Sequence, residues 1–398
     1  MLLVSFFSFI EGLVLGYLGM YFFLPLLFLF LHLVSSFFSR RQPPQTDTVH
    51  SDYACIVTAY EETGQIPMVV ESLLKMDSTS FHVYVVADKC DVSGLHFPDS
   101  RVTILRPPQT LSSNTKSHFY AIDHFIRPHN RLAIIDSDNL VDAGFLLAVE
   151  SYFTQGFEAV QGVRKAKNLN TVIAGLDGAR DLFYHFYDGK LLFGLGSSAT
   201  LSGSGMAFSV DLYEDCLRNL PIEGAGFDKV LQYEVVRRNK RIAFAENAVV
   251  YDEKTAQADQ LVKQRARWIN TWFRYFGFGF NLLAKGLLAL QRNQILFGII
   301  LLRPPLFIFL GLGAILTCLG FWVGDGLAVW GLVAMAAFVF AFFISLVLQQ
   351  AEKRIWKSLV GVPLFVFYQV LSLLKVRKAN RHSVATKHFY DSPPPPQP

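Results

Sequence analysis

From residue 2 to residue 38 the chain is apolar almost without a break; Glu11 and His32 are the exceptions. A helix needs only about 20 such residues to cross a bilayer, so the run predicts an N-terminal transmembrane helix over residues 1–39. A cleaved signal peptide fits less well, because the run is too long and no basic region precedes it. Arg40 and Arg41 follow directly and predict a cytoplasmic location for the downstream chain. "RRQPPQTDT" opens a linker over 40–52. From residue 53 the period changes, and short apolar runs alternate with helically spaced segments. "YACIVTAY" (53–60), "FHVYVVAD" (81–88), "RVTILRP" (101–107), "RLAIIDSD" (131–138), "EAVQGVR" (158–164) and "RIAFAENAVVYDE" (241–253) read as strands. "IPMVVESLLKM" (66–76) and "KSHFYAIDHFI" (116–126) read as helices between them. Such alternation predicts an α/β fold with a doubly wound, mainly parallel sheet over 53–258, in which ligands bind at the carboxyl ends of strands.

The pattern changes again at 259–293, where Arg and Lys mingle with Trp, Phe and Tyr as in amphipathic helices lying in a membrane interface. Two strong apolar spans follow near 304–323 and 327–349, separated by Gly324-Asp325-Gly326. A weaker segment, 358–374, contains Pro363 and has basic residues at both ends, which predicts an interfacial or re-entrant course, with a full crossing as the alternative. The membrane part is expected to occupy 294–375, and a basic, Pro-rich tail 376–398.

Composition supports a membrane protein with a soluble part. The 398 residues are 52% hydrophobic, with 37 Phe, and only 17% are charged, against roughly 25% in soluble domains. A net charge of +4 gives no reason to expect nucleic acid as a partner; contact with anionic lipid suits the clustered basic residues better. Cys55, Cys90, Cys216 and Cys318 are scattered without zinc spacing, which fits a reducing compartment.

The candidate chemistry lies at strand ends. In "LAIIDSDNL" four apolar residues run into Asp136-Ser137-Asp138-Asn139. Two carboxylates there suit Mg²⁺ or Mn²⁺, which take oxygen ligands and share phosphate oxygens; an Asx-type turn capping the next helix is the alternative. Asp88 ends a second strand, and Tyr60 and Glu61 end the first. These could hold a nucleotide base, or could be helix caps and turn residues. Lys116 could pair with a phosphate or be merely solvated. "LSGSGMAFS" (201–209) is a small-residue loop entering a strand-like run, in which Gly203 and Gly205 allow close backbone approach. No Gly-Lys-Ser/Thr follows, so it is not a P-loop. Asp228 starts a helix, either as a cap or as a general base. In "QRARW", Gln264 and Arg267 share a helix face and Trp268 is one turn from Gln264.

Taken together and in this order, TAYEE, VVAD, Lys116, DSD, SGSGMAF, GFD and QRARW resemble the membrane-bound family-2 glycosyltransferases, the group that includes cellulose, chitin and hyaluronan synthases. The resemblance spans about residues 53–275. The run "QGVRKAKNLNT…GSGMAF…GFDK…VVYDEK…QRARW" looks most like bacterial members. It implies a GT-A fold, with Tyr60, Glu61 and Asp88 at the nucleotide, often uridine. Lys116 and Asp136 would support the diphosphate sugar, and Asp138, with Asp136 beside it, would hold Mg²⁺ or Mn²⁺. Asp228 would deprotonate the acceptor hydroxyl, and Gln264, Arg267 and Trp268 would bind the diphosphate and the acceptor end. Two features depart from the family. Gly226-Phe227-Asp228 stands where Thr-Glu-Asp is usual, and the membrane part is smaller than in synthases that build an export channel.

The expected activity is inverting sugar transfer from a nucleoside-diphosphate sugar, a UDP-sugar first, to a growing glycan at the bacterial cytoplasmic membrane, with the catalytic domain facing the cytoplasm and partner subunits available for export. The alternative acceptor is a polyprenyl phosphate or glycolipid receiving one sugar. A non-catalytic membrane partner of another synthase is a third reading, opposed by the presence of Asp136, Asp138 and Asp228.

Overall fold

The computed structural model describes residues 2–38 and 51–376 apart from 79, 223 and 325. The expected linker and the basic tail lie largely outside the described residues. Helix α1 (Leu2–Phe38) opens the chain. The α/β part then runs β1 (Tyr53–Tyr60), α2 (Ile66–Leu74), β2 (Phe81–Asp88), β3 (Val102–Leu105), α3 (Asn114–Asp123), β4 (Arg131–Asp136), β5 (Leu140–Val141), α4 (Phe145–Phe153), β6 (Ala159–Ala166) and α5 (Val172–Tyr184). α5 widens into a π-helical stretch, His185–Leu191, and ends in the single turn α6 (Leu192–Gly194). β7 (Met206–Ser209), α7 (Val210–Leu217), α8 (Phe227–Arg237) and β8 (Ile242–Asp252) complete this part.

The eight strands form one sheet in the order β3-β2-β1-β4-β7-β6-β8-β5. Pairing is parallel across β3-β2-β1-β4 and between β6 and β8, and antiparallel where β7 sits between β4 and β6 and at the β5 edge. Register decides what reaches the sheet's carboxyl edge. Tyr60 lies opposite Asp88, and Thr58 opposite Asp136, so neighbouring strands end in polar groups on one rim. β1 and β2 are buried almost throughout, as a parallel strand covered on both faces must be. One core lies between the sheet and α2 and α4, and the other joins the opposite face to α7, α8 and the helices that follow.

Those helices are α9 (Ala258–Tyr275), α10 (Gly277–Ala289), α11 (Arg292–Leu302), α12 (Leu306–Val323), α13 (Leu327–Leu348), α14 (Lys353–Ser358) and α15 (Val362–Leu373). α9 buries Leu261, Val262, Arg265, Ala266 and Ile269, the stripe expected of an amphipathic helix. Three stretches are long and apolar enough to cross a membrane: Gly12–Phe37, Leu327–Leu348 and Lys353–Leu373. The segment expected to span from 304 to 323 qualifies only together with α11, from which it is bent by 67°. The bend follows from Arg303-Pro304-Pro305, since proline ends the helix before it. Carbonyls released near the bend find donors: Tyr17 donates to the Leu302 carbonyl at 2.6 Å, Tyr21 to that of Ile299 at 2.9 Å, and the Trp272 indole N–H to that of Arg303 at 2.9 Å. The weak segment 358–374 gains length by joining α14 to α15, and so passes as a span by length and composition.

Candidate active site

A cavity of about 990 Å³ opens at the carboxyl edge of the sheet and runs beneath α9 towards α12, α13 and α15. Its polar end is built on the turn after β4. The Asn139 N–H donates to the Asp136 carbonyl at 3.1 Å, which closes a tight reversal. The small-residue loop holds this turn from below. Ser204 Oγ accepts from the Asp136 N–H at 3.0 Å and from Asn139 Nδ2 at 2.7 Å, while the Gly205 N–H donates to the Ile134 carbonyl at 3.0 Å. Gly205 has φ +63°, and a Cβ there would stand 2.8 Å from Val250 Cγ2, so only glycine lets this loop lie flat against β8. The turn is a backbone turn leading into β5 and not an Asx-type cap of the next helix, and it carries both acids into the cavity wall.

Asp228 reaches the same cavity from the first turn of α8, where the helix dipole favours an ionised carboxylate. Lys229 Nζ lies 3.2 Å from Asp228 Oδ2 and donates to the Leu201 carbonyl at 3.1 Å, which ties the acid to the small-residue loop. Gly226 shapes the approach. It has φ +100°, and a Cβ on it would meet Thr271 Cγ2 at 2.5 Å and Tyr275 Cε2 at 3.0 Å. The glycine that replaces the usual threonine thus lets the loop pass under α9. Phe227 is buried and packs edge-on against His118, with centroids 5.2 Å apart, so the position of the usual glutamate is core here. If Asp228 acts on a ligand in this cavity, Gly226→Ala is expected to lower turnover about 10- to 100-fold through misplacement of that carboxylate, and unchanged turnover would remove the close approach of this loop to α9 from the argument.

Gln264, Arg267 and Trp268 line the cavity from α9. Burial lowers the Arg267 pKa. The Arg265 and Arg180 guanidiniums lie over the Trp268 ring at 4.1 and 4.3 Å from its centroid, so cation–π contacts fix the indole. Arg265 was not singled out by the sequence motif, yet it is buried and pairs with Asp177 of α5. Burial, together with Arg180, pushes its pKa down to about 10. Burial alone would raise the Asp177 pKa, but Arg265 and Arg180 outweigh it and hold it low. A second buried set joins β6, β8 and α5: Arg164 pairs with Asp252, and Lys254 with both Asp252 and Asp181. For Arg265 a signal existed. It lies four residues from Leu261 and four from Ile269, on the apolar face of its helix.

Tyr60, Asp136, Asp138, Asp228, Gln264, Arg267 and Trp268 are thus brought to one cavity, whereas Glu61, Asp88 and Lys116 do not line it. Asp88 is buried and accepts from the Leu111 and Ser112 N–H groups at 2.9 and 2.7 Å, with Ser112 and Ser113 in the wall. It therefore shapes the wall through this loop. Glu61 sits at φ +61° and pairs with Lys89 at 2.6 Å, which lowers its pKa. Lys116 is exposed on α3, and its backbone N–H donates to the cap Ser113.

For a metal, no group of three or more His, Cys, Asp or Glu is gathered among the described residues. Asp136 and Asp138 offer the hard oxygen donors of a site that a diphosphate would complete, the usual arrangement for Mg²⁺ in nucleotide enzymes. The residues fit such an ion.

A curled mixed sheet with acids at its carboxyl edge and a basic helix across the opening is the GT-A arrangement. The family described as "Glycosyltransferase like family 2" matches residues 50–271, over half of the chain, and the chain belongs to that family. A mannosyltransferase, PcManGT from Pyrobaculum calidifontis, solved with GDP-Man and Mn²⁺, is similar in structure. The TM-score is 0.60 at 15% identity, covering 92% of this chain and 99% of that one. Residues 1–349 of S. aureus TarS, solved with UDP-GlcNAc, match with a TM-score of 0.43 at 13% identity, over 82% of this chain and 90% of that one. A comparison with curated proteins finds no match.

Proposed function

We propose that the protein is a metal-dependent, inverting glycosyltransferase of the membrane. It would move a sugar from a nucleoside-diphosphate donor to an acceptor hydroxyl, with the α/β part on the cytoplasmic side. The observation that carries this reading is the convergence of Asp136, Asp138, Asp228 and the α9 motif on one cavity. Asp138, with Asp136 beside it, would hold Mg²⁺ or Mn²⁺, which when bound neutralises charge on the departing diphosphate. Asp136 orients the donor sugar, and Arg267 meets the diphosphate as a desolvated cation. Tyr60 lies at the rim beside Ser112, within reach of a base. Asp228 takes the proton of the acceptor hydroxyl, whose oxygen then attacks the anomeric carbon from the face opposite the leaving group.

Donor, linkage and stereochemistry are read in one experiment. Purified full-length protein in lipid nanodiscs is incubated with a panel of nucleotide sugars, and the product's anomeric configuration is determined by NMR. A product of inverted configuration is expected; retention would overturn the single-displacement mechanism. A growing glycan and a lipid-carried acceptor are the two acceptor classes compatible with this chemistry.

A further inference from the structure

The cavity does not end with the polar site. Beyond Trp268 its wall is made by the helices with membrane-spanning character: Leu306 and Leu310 of α12, Val339 and Phe342 of α13, Phe365 and Val366 of α15. Among the described residues, Gln369 is the one polar side chain that these three helices give to the wall. A saccharide chain lying between these three helices would leave its hydroxyls without partners on aliphatic and phenyl surface, which is unfavourable; Asp188 and Arg303, which also line the cavity, already pair with each other. A hydrocarbon chain has no such groups and gains from the same wall. α13 and the α14–α15 stretch are also long and apolar enough to cross a membrane, which would set this end of the cavity at the depth of the bilayer. The polar end adds a second constraint. A phosphate acceptor is already ionised and needs no base, whereas a carboxylate such as Asp228, set at a helix start, suits removal of a hydroxyl proton.

From this continuity of an acid-lined site with an apolar passage, we infer that the acceptor is a saccharide hydroxyl carried on a hydrocarbon-anchored lipid, whose chain lies between α12, α13 and α15. This rests on the glycosyltransferase reading and names its acceptor. In the transfer the acceptor O–H proton passes to Asp228, the acceptor oxygen bonds to the anomeric carbon, and the bond from that carbon to the diphosphate oxygen breaks. The nucleoside diphosphate leaves with the electron pair.

The test uses the full-length protein in nanodiscs, a panel of labelled nucleotide sugars, and methyl, octyl and hexadecyl glycosides of glucose, mannose and N-acetylglucosamine as probes. The acceptor KM is expected to fall at least about tenfold from methyl to hexadecyl. Val339→Trp and Val366→Trp, which fill the passage, are expected to raise the hexadecyl KM at least about tenfold while the methyl KM stays level. A hexadecyl probe with a terminal diazirine should label peptides of α12, α13 or α15, a readout that does not depend on the variants folding. Chain-length dependence that survives both tryptophans, or labelling confined to other segments, would reduce the effect to partition into the bilayer and overturn the passage. Methyl glycosides or soluble oligosaccharides that serve as well as the hexadecyl probes would overturn the lipid acceptor and leave the transferase reading standing. Failure to release nucleoside diphosphate from any donor would overturn both.

Discussion

Asp228→Asn is expected to lower kcat by about 10²- to 10⁴-fold, the range that a positioned general base supplies, while donor affinity survives. The substitution is nearly isosteric and removes only the ability to take a proton. The surroundings argue that the side chain will stay in place. It sits on the first turn of α8, and Lys229 beside it is anchored on the Leu201 carbonyl. Loss of the base should therefore appear in the chemical step alone. A single-turnover transfer assay reads kcat, and calorimetric titration with the nucleotide sugar reads Kd. Full activity in the variant would remove Asp228 from the mechanism. Loss of both quantities would mean that the acid supports the donor site.

Asp138→Ala is expected to have an effect of similar size by another route. If Asp138 holds the metal, its loss removes charge stabilisation worth several kcal/mol, on the order of a 10³-fold fall in turnover. Because such an ion would also contribute to holding the donor, donor affinity should weaken as well, which separates this variant from Asp228→Asn. EDTA should stop the parent enzyme, and excess Mg²⁺ or Mn²⁺ should restore it, whereas the variant should recover little with either ion. Turnover that continues unchanged in EDTA would take the metal out of the proposal. The two carboxylates lie on a turn braced by Ser204, so Asp138→Ala removes a cavity-wall group and leaves that bracing in place.

Much of this arrangement was legible from the strand ends. An apolar strand that stops abruptly at an acid has few places to put it other than the carboxyl rim of the sheet, and Asp136, Asp138 and Tyr60 went there. Glu61 and Lys116 went elsewhere for local reasons. The positive φ of Glu61 turns its side chain out to Lys89, and the face of α3 that carries Lys116 is exposed. In α5, Val172, Leu176, Ala179 and Phe183 recur at helical spacing, but the polar residues between them mark no solvent face: Ala174 through Ala179 are buried on every side of the helix, including Asp177. The acids of α5 become interpretable only with their partners, which lie far along the chain in α9 and after β8. The two-residue β5 is too short for any alternation to show.

The π-helical stretch His185–Leu191 has a further consequence. A π-turn is one residue longer than the α-turn it replaces, so everything beyond it is rotated by about 100° relative to a regular continuation of α5. Asp188 lies within that stretch and pairs with Arg303 beside the proline bend. The spacing between the Asp177–Arg265 and Asp188–Arg303 pairs is therefore an indel-sensitive dimension. Deletion of one residue between the two acids, such as Phe186, would leave each charged residue present in the chain, yet would turn the second carboxylate about 100° away from the bend it now joins to the α/β part.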